Sequence, residues 1–251
     1  MLDLSRIRIV LVEPSHPGNI GAAARAMKTM GLSRLYLVSP EQYPHAEATA
    51  RASGADDILA SAVVCNDLDA ALSGTTLVFG TSARARNLEW PTIPPRAAAE
   101  AVTHEPEGEV ALLFGRERSG LTNEELERCH YRVHIPANPN YSSLNLASAV
   151  QILCYELALV ADHEVVNPQT RETTSEVGES FADQIDVERF YAHLEQALVE
   201  IDFLDPDNPR QLMRRLKRLF NRTRLLHTEV NLLRGILTAA QRQARLASGK
   251  K

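Results

Sequence analysis

The sequence predicts an α/β protein: a mainly parallel sheet covered by helices on both faces, followed by a small helical extension. Three observations predict it. Short runs rich in β-branched and apolar residues alternate with helix-like segments from Arg6 to about His163. Those runs are apolar throughout and do not alternate with polar residues, as strands buried on both faces require. The alternation ends near His163, and from Val187 onward three helical patterns follow.

In chain order, Arg6 to Glu13 reads R-I-R-I-V-L-V-E and forms the first strand. A loop, Pro14-Ser15-His16-Pro17-Gly18-Asn19, leads into an alanine-rich helix from Ile20 to Met30, with Asn19 as its cap and Gly31 as its stop. Arg34 to Val38 is a strand, Ala46 to Ala52 a short helix, Ala62 to Cys65 a strand, Leu68 to Leu72 a helix and Thr76 to Gly80 a strand. A polar loop from Thr81 to Pro95 carries Arg84, Arg86 and Trp90. Arg96 to His104 is helical and Glu109 to Phe114 is a strand. Thr122 to Cys129 is a helix opened by a capping box of Thr122 and Glu125. Tyr131 to Ile135 is the last strand.

The stretch from Val133 to Ile152, V-H-I-P-A-N-P-N-Y-S-S-L-N-L-A-S-A-V-Q-I, passes from that strand through a turn-rich loop into a helix. Ser142 or Ser143 is the expected cap, and Leu144, Ala147, Val150 and Leu153 share one helical face. The organisation expected is a core domain over residues 1–161, an acidic polar linker over 162–188 and a helical extension over 189–251. Helices in the extension span Val187 to Phe203, Pro209 to Asn221 and Leu225 to Leu246.

A length of 251 residues and 44% hydrophobic content suit one sizeable core with an appendage. No apolar run has the length of a membrane span and no signal-peptide pattern opens the chain. Cys65, Cys129 and Cys154 are scattered, which argues against a disulfide framework and fits a reducing cytoplasm. The net charge of −5 hides an asymmetry. From Arg210 to Lys251 there are 12 Lys+Arg and one acid, a net of +11, against −16 for the remainder. Such a basic tail points to a polyanionic partner.

In open α/β sheets, ligands bind outside the carboxyl ends of strands. Four loops there are unusual. One is Asn19-Ile20-Gly21 with Arg25 about two turns further on. The second, Gly80-Thr81-Ser82-Ala83-Arg84-Ala85-Arg86, places small residues before two cations. The third, Phe114-Gly115-Arg116-Glu117-Arg118-Ser119-Gly120-Leu121, holds four polar residues between two glycines. The fourth is the stretch beginning at Val133. No G-x-G-x-x-G follows the first strand, and neither a P-loop nor H-E-x-x-H occurs. His16, His104, His130 and His134 lack metal-ligand spacing, so no metal is expected.

Three of these motifs, N-I-G-A-A-A-R at Asn19 to Arg25, L-F-G-R-E-R-S-G-L at Leu113 to Leu121 and I-P-A-N-P-N-Y-S-S-L-N-L at Ile135 to Leu146, resemble the SPOUT class of RNA methyltransferases. The chain is similar to the TrmH-like 2′-O-ribose methyltransferases, and among them to the bacterial TrmJ group, continuously from Ile7 to about Ala161. Pro139 departs from the glycine that many TrmH-like proteins have there. The resemblance implies a C-terminal trefoil knot, S-adenosylmethionine as cofactor and a homodimer with active sites at its interface. It implies 2′-O-methylation of cytidine or uridine at position 32 of the tRNA anticodon loop.

Carried over by motif, Thr81, Ser82, Ala83, Gly115, Ile135, Ser142, Ser143 and Leu144 surround the cofactor. Arg25 is the catalytic arginine. Asn19, Ser142 and Asn145 orient it and the ribose hydroxyl, and Glu117 holds the loop or Arg25 in place. Arg84 and Arg86 meet RNA, with Arg84 counted in the catalytic set. In the tail, Arg210, Arg214, Lys217 and Arg218 share one helical face, with Leu212, Leu216, Leu219 and Phe220 on another. Arg214, Arg215 and Arg218 are the expected tRNA contacts. A methyltransferase for another tRNA or ribosomal RNA nucleotide, or a non-catalytic RNA-binding protein of the same fold, fits the same motifs. Calorimetry with S-adenosylmethionine separates the non-catalytic reading from the others.

Overall fold

The computed structural model describes residues 2–83, 90–105, 108–166 and 180–247. They fall into two compact units that divide near residue 173. In the first, the described strands are β1 (Ile7–Val12), β2 (Arg34–Val38), β3 (Val63–Cys65), β4 (Thr75–Thr81), β5 (Thr92–Ile93), β6 (Glu109–Phe114) and β7 (Tyr131–Val133). They form one sheet in the order β3-β2-β1-β6-β4-β7-β5, with every pairing parallel. The helices are α1 (Pro17–Thr29), α2 (Ala46–Ala52), α3 (Asp56–Ala60), α4 (Leu68–Leu72), α5 (Pro95–Thr103), α6 (Asn123–Leu126) and α7 (Leu146–Val166).

Successive side chains of a strand point to opposite faces, and β1 shows the consequence. Ile7, Ile9 and Leu11 join the larger core with α1, α2, α3, α5 and α7, whereas Val10 and Val12 join the smaller core with α4 and α6. All five are at most 2% exposed, and burying each contributes roughly 1.5–3 kcal/mol. Arg8 interrupts this pattern. Its buried guanidinium donates to the Ala71 carbonyl at 2.8 Å, pairs with Glu109 and lies over the Tyr36 ring, so the charge is compensated.

Short elements escaped the sequence reading, α3 and β5 among them. α3 is one turn and β5 two residues, both too short for a period to appear. The helix expected over Thr122 to Cys129 shrinks to Asn123–Leu126, although its capping box forms on both sides.

In the second unit, α8 (Gln184–Glu200), α9 (Leu212–Thr223) and α10 (His227–Ala247) enclose a small core of Val187, Phe190, Tyr191, Leu194, Leu225 and Val230. Phe190 meets Phe220 edge-on at 5.0 Å, and Tyr191 donates a buried hydrogen bond of 2.6 Å to Asn221. α7 runs on to Val166 and α8 begins at Gln184, so helix occupies both ends of the stretch 162–188. Its centre, 167–179, lies outside the described residues. Among the described residues, no helix is long and apolar enough to cross a membrane.

Candidate active site

The loops at the carboxyl ends of β1, β4, β6 and β7 come together. The loop after β6 folds back on itself: the Gly120 N–H donates to the Arg116 carbonyl at 2.9 Å, and Gly120 has φ +71°. A Cβ on Gly115 would lie 2.2 Å from the Gly120 carbonyl carbon and the Leu121 nitrogen. Glycine is required at 115 because the loop's own backbone passes there.

A cleft of about 220 Å³ opens between this loop and the loops after β4 and β7. All eight expected cofactor residues line it: Thr81, Ser82, Ala83, Gly115, Ile135, Ser142, Ser143 and Leu144. Phe114, Val133, Leu146 and Ala149 add apolar wall. Backbone and hydroxyl edges between apolar faces suit a flat heteroaromatic group with polar edges. Among the described residues, no cluster of His, Cys, Asp and Glu is arranged to hold a metal ion.

Beside the cleft, three motifs join through hydrogen bonds. The Asn145 side-chain amide donates to Asn19 Oδ1 at 3.0 Å, and the Asn19 amide donates to Glu117 Oε1 at 2.9 Å. Glu117 also accepts from the Ser15 N–H at 3.0 Å, the Ser15 hydroxyl at 2.9 Å and the His16 N–H at 3.2 Å. Burial opposes ionisation of Glu117, yet the hydrogen bonds from Asn19 and Ser15 outweigh it and hold the carboxyl at about 2. It is a fixed carboxylate that organises the loop after β1, and no bond from it to Arg25 occurs among the described residues.

Several expectations change. Neither Ser142 nor Ser143 caps α7. Asn145 does, its Oδ1 accepting from the Ala147 and Ser148 N–H groups, because the turn from Pro136 to Leu144 continues past both serines. Leu144 is therefore outside the helix and 38% exposed. Asn19 does not cap α1. Its side chain is committed to Glu117 and Asn145, and His16 caps in its place. Arg25 stands on the exposed side of α1, with no side-chain hydrogen bond to Asn19, Ser142 or Asn145 among the described residues. Arg84 and Arg86 lie outside the described residues.

Sequence reasoning missed Ser15, and it missed the part played by Glu13 and Arg116. The Arg116 guanidinium bonds both Glu13 and Glu125. An R-E pair between two glycines was visible, but its partners lie up to 103 residues away.

In the second unit, α9 is strongly two-sided. Met213, Leu216 and Phe220 pack on the core, whereas Leu219, expected there, is 44% exposed. Lys217 leaves the cationic face: its ammonium lies 5.5 Å from the Tyr191 ring centroid and 3.8 Å from Glu188. Arg215 and Arg222 are exposed, and Arg214 and Arg218 are partly so.

Residues 6–155 match the SpoU rRNA Methylase family. The chain belongs to the SpoU methylase family. Residues 185–249 match a second family, the tRNA methyltransferase TrmJ C-terminal domain. The tRNA (cytidine/uridine/adenosine-2′-O-)-methyltransferase TrmJ of Pseudomonas aeruginosa (strain UCBPP-PA14) is 53% identical over 253 residues, covering 99% of this chain and 98% of that protein. The tRNA (cytidine/uridine-2′-O-)-methyltransferase TrmJ of Pectobacterium atrosepticum is 51% identical, covering 95% of this chain and 98% of that protein. Among solved structures, TrmJ from Z. mobilis ZM4 superposes with a TM-score of 0.78 at 34% identity, covering 92% of this chain and 97% of that one. The SpoU methylase match takes in the cleft, the hydrogen-bonded motifs and Arg25, and the TrmJ match takes in α9 and α10.

Proposed function

We infer that the protein is an S-adenosylmethionine-dependent methyltransferase acting on the ribose 2′-hydroxyl of cytidine or uridine at position 32 of the tRNA anticodon loop. The observation that carries this reading is the junction of three motifs, Asn145 to Asn19 to Glu117, beside a cleft lined by all eight expected cofactor residues. The names of relatives at 51–53% identity support transfer to a tRNA ribose.

When bound, S-adenosylmethionine supplies an electrophilic methyl group. The chain's residues place it and prepare the hydroxyl. Thr81, Ser82, Ala83, Gly115, Ile135, Ser142, Ser143 and Leu144 would hold the cofactor, largely through backbone. A guanidinium is a permanent cation and a poor base, so Arg25 grips the neighbouring phosphate and stabilises the developing alkoxide. Glu117 takes no proton, since it titrates near 2 and four hydrogen bonds engage it. The adjacent phosphate is left to accept the hydroxyl proton. Arg84 and Arg86 meet the RNA, as do Arg214, Arg215 and Arg218 of the extension.

The methyltransferase unit carries a trefoil knot and works as a homodimer. Tyr141, Leu144 and Tyr155 support the dimer as large exposed apolar residues on or beside α7. The protein acts in the cytoplasm, where its three free, buried cysteines stay reduced.

The test is methyl transfer to anticodon stem-loops and whole tRNA carrying C, U, A or G at position 32, followed by mapping of the 2′-O-methyl group. Transfer at C32 and U32 supports the assignment. Transfer confined to another nucleotide, or to ribosomal RNA, overturns it. A32 belongs in the set because the Pseudomonas relative's name includes adenosine.

A further inference from the structure

Two neighbouring residues of opposite charge seize the same loop by different means. Glu117 accepts from Ser15, His16 and Asn19. Arg116 turns the other way. Its Nε donates to Glu13 Oε2 at 2.7 Å and its Nη2 to Glu13 Oε1 at 2.5 Å, a two-pronged grip. Its Nη1 and Nη2 also reach the Glu125 carboxylate at 3.1 and 3.0 Å. Glu125 at the same time closes the capping box of α6. Glu13, the first residue after β1, has φ +45°, a backbone conformation that a glutamate rarely adopts unless neighbours impose it.

One guanidinium thus ties the end of β1, the start of α6 and the cofactor loop. Without it, two carboxylates would face each other across a partly buried space. A planar fork can hold both carboxylates in fixed directions, whereas an ammonium can only sit between them as a point charge.

We propose that Arg116 is a positioning residue for methyl transfer. Through Glu13 it fixes the backbone from Glu13 to Asn19, and so holds Asn19 Oδ1 where it accepts from the Asn145 side-chain amide. Arg116 lines the cleft, but its guanidinium is bonded to Glu13 and Glu125, so it acts on the transfer through them. The inference rests on the methyltransferase reading. It goes further by naming an ion-pair clamp that governs turnover from outside the reacting atoms.

The test compares Arg116→Lys, Glu13→Gln and the double variant with wild type, using the full chain. Circular dichroism and thermal melting establish folding. Steady-state kinetics with tRNA and S-adenosylmethionine give kcat and KM separately. The Asn19 side-chain amide resonance, assigned in 15N-labelled protein, reports its orientation without turnover. The expected result is kcat lower by about tenfold or more, as a misplaced catalytic group costs, with KM for tRNA within about threefold. The Asn19 resonance should move in both single variants. The double variant should be no slower than the worse single one, since both break one clamp.

The proposal is overturned if kcat stays within about twofold of wild type, or falls only with the folded fraction, while the Asn19 resonance does not move. Should Arg116→Lys fail to fold, Glu13→Gln decides by the same measures. If wild type transfers no methyl group to tRNA, the functional reading falls, and the Asn19 resonance still decides the clamp.

Discussion

Asn19 spends every polar atom of its side chain on holding two other loops, and Arg25, six residues on, spends none. Among the described residues, that contrast separates a hydrogen-bonded frame from an exposed cation, the group proposed above to grip the RNA. Arg25→Ala should therefore abolish methyl transfer yet leave S-adenosylmethionine affinity within a few fold, measured by single-turnover assay and calorimetry. Near-normal turnover would remove Arg25 from the mechanism. Glu117 belongs to the frame and carries a pH signature. Its folded carboxyl titrates near 2 against an ordinary 4.5, so its ionised form favours the fold fully above pH 4.5. That contribution is lost as pH falls from 4.5 through 2. In acid unfolding, the stability gap between wild type and Glu117→Gln should be widest above pH 4.5 and close toward pH 2. A gap independent of pH would contradict the hydrogen-bonded carboxylate. The types of these residues were legible in the sequence, because asparagine, glutamate and arginine clustered beside glycines at strand ends exceed what a turn or a cap needs. Their pairing was not: Glu117 meets Ser15 across 102 positions, and only the folded loops decide that.

At the scale of elements, most strands could be read from apolar runs and most helices from periodicity, and the caps of α1 and α7 were where the reading failed. The two serines before α7 look like caps, but the cap is the residue that the loop delivers to the right place, Asn145. That residue has two duties, which substitution can separate. Asn145→Asp keeps the oxygen that caps α7 and loses the donor to Asn19, so it should melt close to wild type while turnover falls. Asn145→Ala loses both and should also lose about 1 kcal/mol of stability, some 2–4 °C in Tm for a protein of this size. Equal melting temperatures for the two variants would show that capping contributes nothing. At Gly115, valine should lower both Tm and cofactor affinity, because its Cβ would strike the loop's own backbone at 2.2 Å. Normal S-adenosylmethionine binding by calorimetry in Gly115→Val would refute the cleft.

At the scale of the whole molecule, charge segregation was the clearest signal in the sequence, and α9 shows how far it carries. Composition located the cationic segment, but helical spacing alone misplaced Lys217 and Leu219, because burial depends on which turn meets Tyr191 and Phe190. Replacing Arg214, Arg215 and Arg218 with glutamine should weaken tRNA binding. It should also flatten the plot of log affinity against log salt by up to roughly one unit per lost phosphate contact. Filter binding across a salt series checks this, and an unchanged slope would free the extension from RNA. Since α7 runs to Val166, a truncated protein should end there and not at Ala161. Sedimentation of residues 1–166 as a monomer at micromolar concentration would count against the dimer.

The strand order has a consequence in time. β1 lies between β2 and β6, and Ile7 pairs with Val110, about 100 residues later in the chain. At a synthesis rate of roughly 5–20 residues per second, β1 waits on the order of 5–20 s on the ribosome for its second neighbour. Asn145, whose amide donates to Asn19, emerges later still. A nascent chain released early therefore holds an exposed half-sheet and no active site, and translation speed should set how much of this protein reaches its working form.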